Sequence, residues 1–338
     1  MNYVNFGRTG IKVSPLTLGC MMFGYRTELE ETCRIIDRAL EAGVNIIDTA
    51  DMYSRGRSEE FVGEALQRNG RRAGIVLCTK VHNRMNDTDP NAWGNTRRHI
   101  IEGCEASLRR LKTDYIDLYQ IHRPQPEVAI DETLRALDDL VRSGKVRYLG
   151  STTFAAWQVV ESLWCAKELG LNRFVSEQPP YNLLDRRIER ELVPMARTFG
   201  LALIPWSPLA SGILTGKYPV GQPIPEGTRL FGREDSPIPM YRKNSTDASR
   251  PLVDKLRPLA AAKGVPLSQY ALSWVIRQPG ITSAIIGPRT LEQLEDNLGA
   301  LGVSLGAEDF SEIDKIFPPA SFVSPYYEAD FGSSQHRW

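Results

Sequence analysis

Four polar side chains have the types and spacing needed for acid–base chemistry at one place in a fold. Asp48 and Tyr53 are five residues apart, and Lys80 and His122 follow in separate β-rich segments. A tyrosine alone is a weak acid with a reference pKa of about 10, and a nearby cation favours its phenolate form. Lys80 can supply that cation, Asp48 can neutralise the buried ammonium, and His122 can bind an oxygen that develops negative charge. The set suits the proton transfer that follows hydride delivery to a carbonyl.

Each of these residues also has an ordinary structural explanation. An aspartate at a strand end is most often a cap, a histidine there is more often structural than catalytic, and a lysine usually faces solvent. Their positions nevertheless favour a shared role of the four residues in proton transfer. Asp48, Lys80 and His122 each end a predicted strand, and Tyr53 follows the strand that Asp48 ends.

Eight short β-rich segments alternate with helical segments along the chain. The predicted strands are 16–18, 45–48, 75–80, 115–122, 146–151, 174–178, 201–206 and 283–286. The predicted helices between the early strands are 30–42, 58–66 with Ser58 as N-cap, 97–111, 131–141, 155–169 and 188–199. Glycine follows several helices just before the next strand, as is typical of αβ loops. The alternation favours a closed parallel barrel, and no GxGxxG sequence supports an open dinucleotide-binding sheet.

Several segments lie outside this repeat. Residues 3–6 and 12–14 flank Gly7-Arg8-Thr9-Gly10 and predict a β-hairpin. Residues 218–250 form a long loop after strand seven, and helices at 252–263 and 267–277 precede strand eight. A helix at 307–317 and an aromatic tail end the chain. We therefore expect a single (β/α)₈ TIM barrel domain over residues 1–338, with an N-terminal hairpin, the long loop and a C-terminal helix and tail.

Composition argues against several classes of protein. Lys+Arg and Asp+Glu are both 41, so net charge gives no reason to expect a nucleic-acid or membrane partner. No apolar run approaches the ~18 residues of a membrane span, and no secretory signal begins the chain. The five cysteines include no CxxC pair and the four histidines lack ligand spacing, so no metal site is expected. A cytoplasmic location is the expectation.

Around the four polar residues the chain resembles the aldo-keto reductases. The matching segments are NIIDTADMY at 45–53, CTKV at 78–81, DYIDLYQIHRP at 114–124, VRYLGSTTF at 146–154, EQPPYNLLDR at 177–186, PWSPLASGILTGKY at 205–218 and IIGPRTLEQLEDN at 285–297. They occur in order over essentially the whole chain. Thr153 stands where the family usually has Asn.

The resemblance implies a catalytic tetrad of Asp48, Tyr53, Lys80 and His122 and the cofactor NADP(H). The positions it implies for cofactor binding are Gly19, Cys20, Met21, Asp48, Ser151, Thr152, Gln178, Trp206, Ser207, Pro208, Leu209, Ser211, Gly212, Lys217, Arg229, Gly287, Arg289, Gln293, Asp296 and Asn297. Among them, Gln178 with Ser151 and Thr152 would hold the nicotinamide carboxamide, and Trp206 would stack under the ring. Independently of the resemblance, Arg289 at a predicted helix start suits a phosphate, which favours NADP over NAD.

Two other functions remain open at this point. The cofactor segment also resembles that of potassium-channel β-subunits, which implies an NADP(H)-binding regulatory subunit. His122 favours an active reductase, because those subunits are expected to carry Asn there. A phosphate-binding barrel aldolase would use Lys80 for a Schiff base, but the cofactor segments argue against it. Tyr25, Trp93 and Arg123 are candidates for contact with a small carbonyl substrate, and each is equally plausible as a packing or surface residue.

Overall fold

Eight parallel strands form the centre of the molecule in the computed structural model, which describes residues 1–232 and 249–323. The strands are β3 (Leu16–Gly19), β4 (Ile46–Asp48), β5 (Val76–Val81), β6 (Ile116–Ile121), β7 (Val146–Thr152), β8 (Phe174–Gln178), β9 (Ala202–Leu203) and β10 (Ala284–Ile286). They lie in the order β10-β3-β4-β5-β6-β7-β8-β9. The two outer strands meet through a parallel bridge between Leu203 and Ile281 and a 2.8 Å bond from the Ile285 N–H to the Pro205 carbonyl. The predicted (β/α)₈ barrel is confirmed.

The hairpin predicted at the start of the chain is also confirmed, with β1 (Val4–Asn5) antiparallel to β2 (Lys12–Val13). Its Phe6 and Val13 pack with a cluster of inward-facing strand residues. That cluster consists of Ile46, Val76, Cys78, Leu118, Val175, Ala202 and Ile204. A larger apolar core lies between the barrel and its helices. Because the hairpin covers the end where the strands begin, the polar strand ends are left at the opposite mouth.

The helices surround the sheet as the periodicity predicts. They are α1 (Leu29–Glu41), α2 (Arg57–Asn69), α3 (Arg97–Leu111), α4 (Ile130–Arg142), α5 (Ala156–Leu169), α6 (Leu192–Phe199), α7 (Arg250–Ala262), α8 (Leu267–Ile276), α9 (Leu291–Gly299) and α10 (Ala307–Ile316). Within the two described ranges, no helix is long and apolar enough to cross a membrane. Residues 218–232 of the long loop are irregular, while 233–248 and the aromatic tail from 324 onward lie outside the described residues.

Two predictions about the helices are wrong. The N-cap of α2 is Gly56 at φ 95°, not Ser58, whose hydroxyl lies inside the fold and donates to the Cys20 carbonyl at 2.8 Å. The helix predicted at 188–199 is a 3₁₀ turn at Arg187–Glu189 followed by α6. Pro194 explains the break, because a proline is tolerated in the first turn of a helix but clashes with the carbonyl four residues earlier in its interior.

Candidate active site

A buried ion pair lies at the mouth of the barrel. Asp48 ends β4 and Lys80 lies near the end of β5. The Asp48 side chain is 3% exposed and the Lys80 side chain is 0% exposed. Lys80 Nζ is 2.5 Å from Asp48 Oδ1 and donates to the Thr49 carbonyl at 2.7 Å. Burial alone would lower the pKa of the Lys80 ammonium, but Asp48 and Tyr53 outweigh it and raise that pKa. Lys80 is therefore a fixed positive charge.

The Tyr53 hydroxyl lies next to this charge. Lys80 Nζ is 3.4 Å from Tyr53 Oη and 5.0 Å from the ring centroid. The turn that begins at Tyr53 has Ser54 and Arg55 in the left-handed region, at φ 51° and 53°. Such conformations cost about 1–3 kcal/mol each and persist where the surrounding structure imposes them. An oxygen that takes up negative charge at Tyr53 would be stabilised by the ammonium.

His122, directly after β6, faces Tyr53 across the mouth. The two ring centroids are 5.8 Å apart with an interplanar angle of 79°. The ring is buried, and its Nδ1 has no hydrogen-bond partner within residues 1–232 and 249–323. Burial lowers the pKa of the His122 imidazole far below its usual range, and the charges of Arg123, Lys80 and His82 lower it further. The surroundings therefore favour the neutral form of the His122 imidazole.

Two glutamine amides hold the other oxygen of Asp48. Gln178 Nε2 donates to Asp48 Oδ2 at 2.9 Å and Gln120 Nε2 donates to it at 3.0 Å. Gln178 was predicted to lie in the site, whereas Gln120 was missed. A period of two from His122 could have found it, because residues two apart on a strand face the same side.

The turn after β9 has an unusual backbone. Ser207, Ala210 and Ser211 have φ of 56°, 47° and 59°, and Gly212 has 89°. The Ser211 hydroxyl is buried and has no hydrogen-bond partner in the described part of the chain. Turns of this kind point backbone N–H groups into one concavity, which suits an anion. Asn182 Nδ2 anchors the turn by donating to the Ser207 carbonyl at 3.0 Å.

Three cations lie close to that turn. Burial lowers the pKa of Lys217, and the charges of Arg289 and Arg229 lower it further. Arg289 precedes α9, and its backbone N–H donates to Gln293 Oε1 at 2.9 Å. Like charges disfavour one another, and an anion bound near them is favoured. The turn and the cations therefore form a candidate phosphate site.

A sequence model described as the aldo/keto reductase family matches residues 15–317. The chain belongs to the aldo/keto reductase family. It is 38% identical over 306 residues to a probable voltage-gated potassium channel subunit beta of Oryza sativa subsp. japonica, covering 90% of this chain and 92% of the relative. It is 38% identical over 335 residues to the uncharacterized oxidoreductase YrpG of Bacillus subtilis, covering 96% and 98%. The versiconal hemiacetal acetate reductase of Aspergillus parasiticus is 34% identical over 343 residues, covering 94% and 98%. The resemblance found in the sequence is confirmed, and the chain falls in an oxidoreductase family.

One predicted residue of this aldo/keto reductase is turned away from the mouth. Ser151 pairs with Glu177 across β7 and β8, and its hydroxyl donates to Glu177 Oε2 at 2.5 Å. Thr152 pairs with Gln178 and so faces the same side as Gln178. Thr152 Oγ1 donates to the His122 carbonyl at 2.5 Å. The structure brings Thr152, not Ser151, together with the catalytic candidates.

The remaining predicted cofactor residues lie in three parts of the chain: after β3, after β9 and around α9. Gly19 ends β3 beside Asp48, and its successor Cys20 is buried, with a backbone N–H that donates to the Asp48 carbonyl at 2.8 Å. Met21 and Trp206 are half-buried. After β9, Pro208 is buried and Leu209 is half-buried. Gly287, after β10, has open space at its Cβ position. In α9, Asp296 accepts from Gln269 at 3.0 Å and Asn297 is buried.

The three substrate candidates differ in position. Tyr25 is 56% exposed and lies 5.5 Å from the Arg26 guanidinium. Trp93 is 40% exposed, and its ring is 6.0 Å from the His82 ring. Arg123 lies against the His122 carbonyl, at 2.6 Å. Of the three, Arg123 directly contacts one of the catalytic candidates.

Proposed function

We propose that this aldo/keto reductase reduces an aldehyde or ketone to an alcohol with NADPH, and that Tyr53 is the proton donor. The observation that carries the proposal is the Lys80 ammonium 3.4 Å from Tyr53 Oη, with its charge balanced by Asp48 and with His122 facing the phenol. A hydroxyl, a neutral imidazole and a fixed cation are the groups that a carbonyl reduction needs around its oxygen.

Each side chain has a separate part in the proposed reaction. The His122 imidazole donates an N–H to the carbonyl oxygen and orients it. Tyr53 Oη gives its proton to that oxygen, and Lys80 stabilises the negative charge left on Tyr53. Asp48 keeps Lys80 charged and in place, and Gln120 and Gln178 hold Asp48. When bound, NADPH supplies the hydride.

The residues around the phosphate site fit the proposed cofactor. Members of the family typically bind a nicotinamide cofactor, which contains a pyrophosphate. The Ser211 hydroxyl and the N–H groups of the left-handed turn can donate to that pyrophosphate. Arg289 and Arg229 both lower the pKa of Lys217, so the three cations lie near one another. We propose that Arg289 binds a 2′-phosphate, and hence that the cofactor is NADP(H) rather than NAD(H).

The direct test follows NADPH absorbance with a panel of aldehydes and ketones. Tyr53→Phe should lower kcat by about 10²–10⁴-fold, the usual contribution of a general acid, and leave the NADPH dissociation constant unchanged. Tyr3→Phe is the matched control, because Tyr3 is exposed in the N-terminal segment and its hydroxyl donates to the Gly43 carbonyl. Near wild-type turnover in Tyr53→Phe would exclude Tyr53 as the proton donor.

A second candidate is an NADP(H)-binding regulatory or scaffold subunit with little activity. Relatives from Oryza sativa and Arabidopsis thaliana that are named as probable channel β subunits favour it, at 38% identity each. The complete set of Asp48, Tyr53, Lys80 and His122 favours the reductase. Tight NADPH binding with no reduction of any panel member, in wild type and Tyr53→Phe alike, would support the regulatory subunit.

A further inference from the structure

Arg123 joins the ends of two neighbouring strands beside the candidate active site. It follows His122 after β6, and its Nη1 donates to the His122 carbonyl at 2.6 Å. The same nitrogen lies 3.1 Å from Thr152 Oγ1 and 2.8 Å from Thr153 Oγ1, at the end of β7. One guanidinium nitrogen therefore ties the backbone that carries the imidazole to the adjacent strand end.

Thr153 is held in a strained conformation at this point. Its φ of 60° lies in the left-handed region, where a β-branched residue is an outlier. Its backbone N–H donates to the Gln178 carbonyl at 3.2 Å, and the next N–H, of Phe154, donates to Glu177 Oε1 at 3.1 Å. Strain of this kind persists where surrounding contacts impose it, and it concentrates at functional sites. Here the imposed turn brings the Thr153 hydroxyl to Arg123.

The charges around His122 oppose a second proton on its ring. Lys80 and His82 approach from β5 and the residue after it, Tyr53 faces the ring, and Arg123 is the next residue. Because Nδ1 has no acceptor within the described ranges, a proton there would be buried without a partner. After burial, Arg123 is the largest cause of the lowered pKa of His122.

We propose that Arg123 is a positioning residue for the reduction, an inference that rests on the proposed function. Its bond to the His122 carbonyl fixes the imidazole opposite Tyr53, and its charge adds to the burial that keeps that imidazole neutral, so that the ring donates to the substrate oxygen in a single orientation. The His122 carbonyl and the Thr152 and Thr153 hydroxyls hold Nη1 next to His122, where the guanidinium can both fix the backbone and act on the imidazole by its charge.

Two variants separate the effect of the Arg123 charge from the effect of its hydrogen bonds. Arg123→Gln loses the charge, and Arg123→Lys keeps the charge on a shorter side chain without the guanidinium fork, so its nitrogen does not reach the place of Nη1. Each variant is measured for kcat at saturating NADPH and, by NMR of ¹⁵N-histidine protein with His122→Asn for assignment, for the pH midpoint of His122. Arg135→Met is the control, because Arg135 is exposed on α4 and pairs with Asp131 at 3.6 Å.

We expect both variants to lose about 10²-fold in kcat, the cost of misplacing a catalytic group by about 1 Å. The His122 midpoint should rise by about one pH unit in Arg123→Gln, which is a tenfold gain in proton affinity, and should stay near wild type in Arg123→Lys. An unmoved midpoint in Arg123→Gln would overturn the proposal even if kcat fell, since Arg123 would then be merely structural. Wild-type kcat in both variants would also overturn it. The NMR titration of His122 requires no catalytic turnover. Its result therefore tests the role of Arg123 even if the proposed reductase activity is wrong.

Discussion

Replacing Lys80 by Met should damage stability and activity for two separable reasons. The variant leaves the Asp48 carboxylate buried, with the amides of Gln120 and Gln178 still donating to its Oδ2 atom. Removing one partner of a buried ion pair costs about 3–5 kcal/mol, because the other charge is left uncompensated. We therefore expect the free energy of unfolding, measured with urea, to fall by roughly that amount.

The loss of activity in Lys80→Met comes from removing the positive charge next to Tyr53. Unit charges 3.4 Å apart interact by about 5 kcal/mol at an effective dielectric constant of about 20. If this charge acts fully in the transition state, its loss lowers the rate by about 10³–10⁴-fold. The assay is single-turnover NADPH oxidation at saturating cofactor and carbonyl, so that product release does not mask the chemical step.

The double variant Asp48→Asn/Lys80→Met separates the two effects. Removing both charges leaves no isolated buried ion, so most of the lost stability should return while the rate stays low. Lys315→Met, at an exposed ion pair with Glu312, controls for loss of any lysine. Near wild-type turnover in the double variant would refute the catalytic role of the Lys80 charge. A Lys80→Met protein as stable as wild type would refute the buried-pair reasoning.

Three further predictions concern the phosphate site and the turn after β7. Arg289→Ala should weaken NADPH binding by about ten- to a hundred-fold, the worth of one charge-assisted bond, and leave NADH binding almost unchanged in fluorescence titrations; equal losses would contradict the NADP(H) assignment. Thr153→Asn should raise the free energy of unfolding by about 1 kcal/mol, because Asn tolerates the left-handed region, and a drop in stability would argue against strain there. Burial raises the pKa of the Glu177 carboxyl from 4.5 to about 8. The folded protein thus keeps a proton that the unfolded chain loses, so between about pH 4.5 and 8 this group's contribution to stability is lost as pH rises, by about 1.4 kcal/mol per pH unit. Glu177→Gln should remove this fall of the free energy of unfolding with pH. If urea titrations gave the same pH dependence for the variant and the wild type, the raised pKa of Glu177 would be refuted.

The sequence was sufficient for the architecture and for the set of catalytic candidates. The alternation of β-rich and helical segments, with glycine ending many helices, predicts eight strands that the structure confirms. Parallel strands in a barrel all end at one mouth, so polar residues at the ends of different strands must meet there. Asp48, Lys80 and His122 could be grouped for this reason, although they are far apart in the chain.

The local pattern failed where two physical effects compete. Ser58 is a good N-cap residue beside two glutamates, yet Gly56 caps the helix because the serine hydroxyl has partners inside the fold. The apolar period through residues 188–199 predicts one helix, but the ring of Pro194 restricts it to the last part of that segment.

Which residues of β7 and β8 face the site was decided by the tertiary structure. Leu149 pairs with Phe174, but the next residue, Gly150, pairs with Ser176, so one residue of β8 is left over. A shift of one residue turns every following side chain to the other face of a strand. Strands buried on both faces have no alternation of polar and apolar residues from which such a shift could be inferred. The sequence therefore placed Ser151, Thr152 and Gln178 at the same mouth, and the register between the two strands selected Thr152 and Gln178 over Ser151.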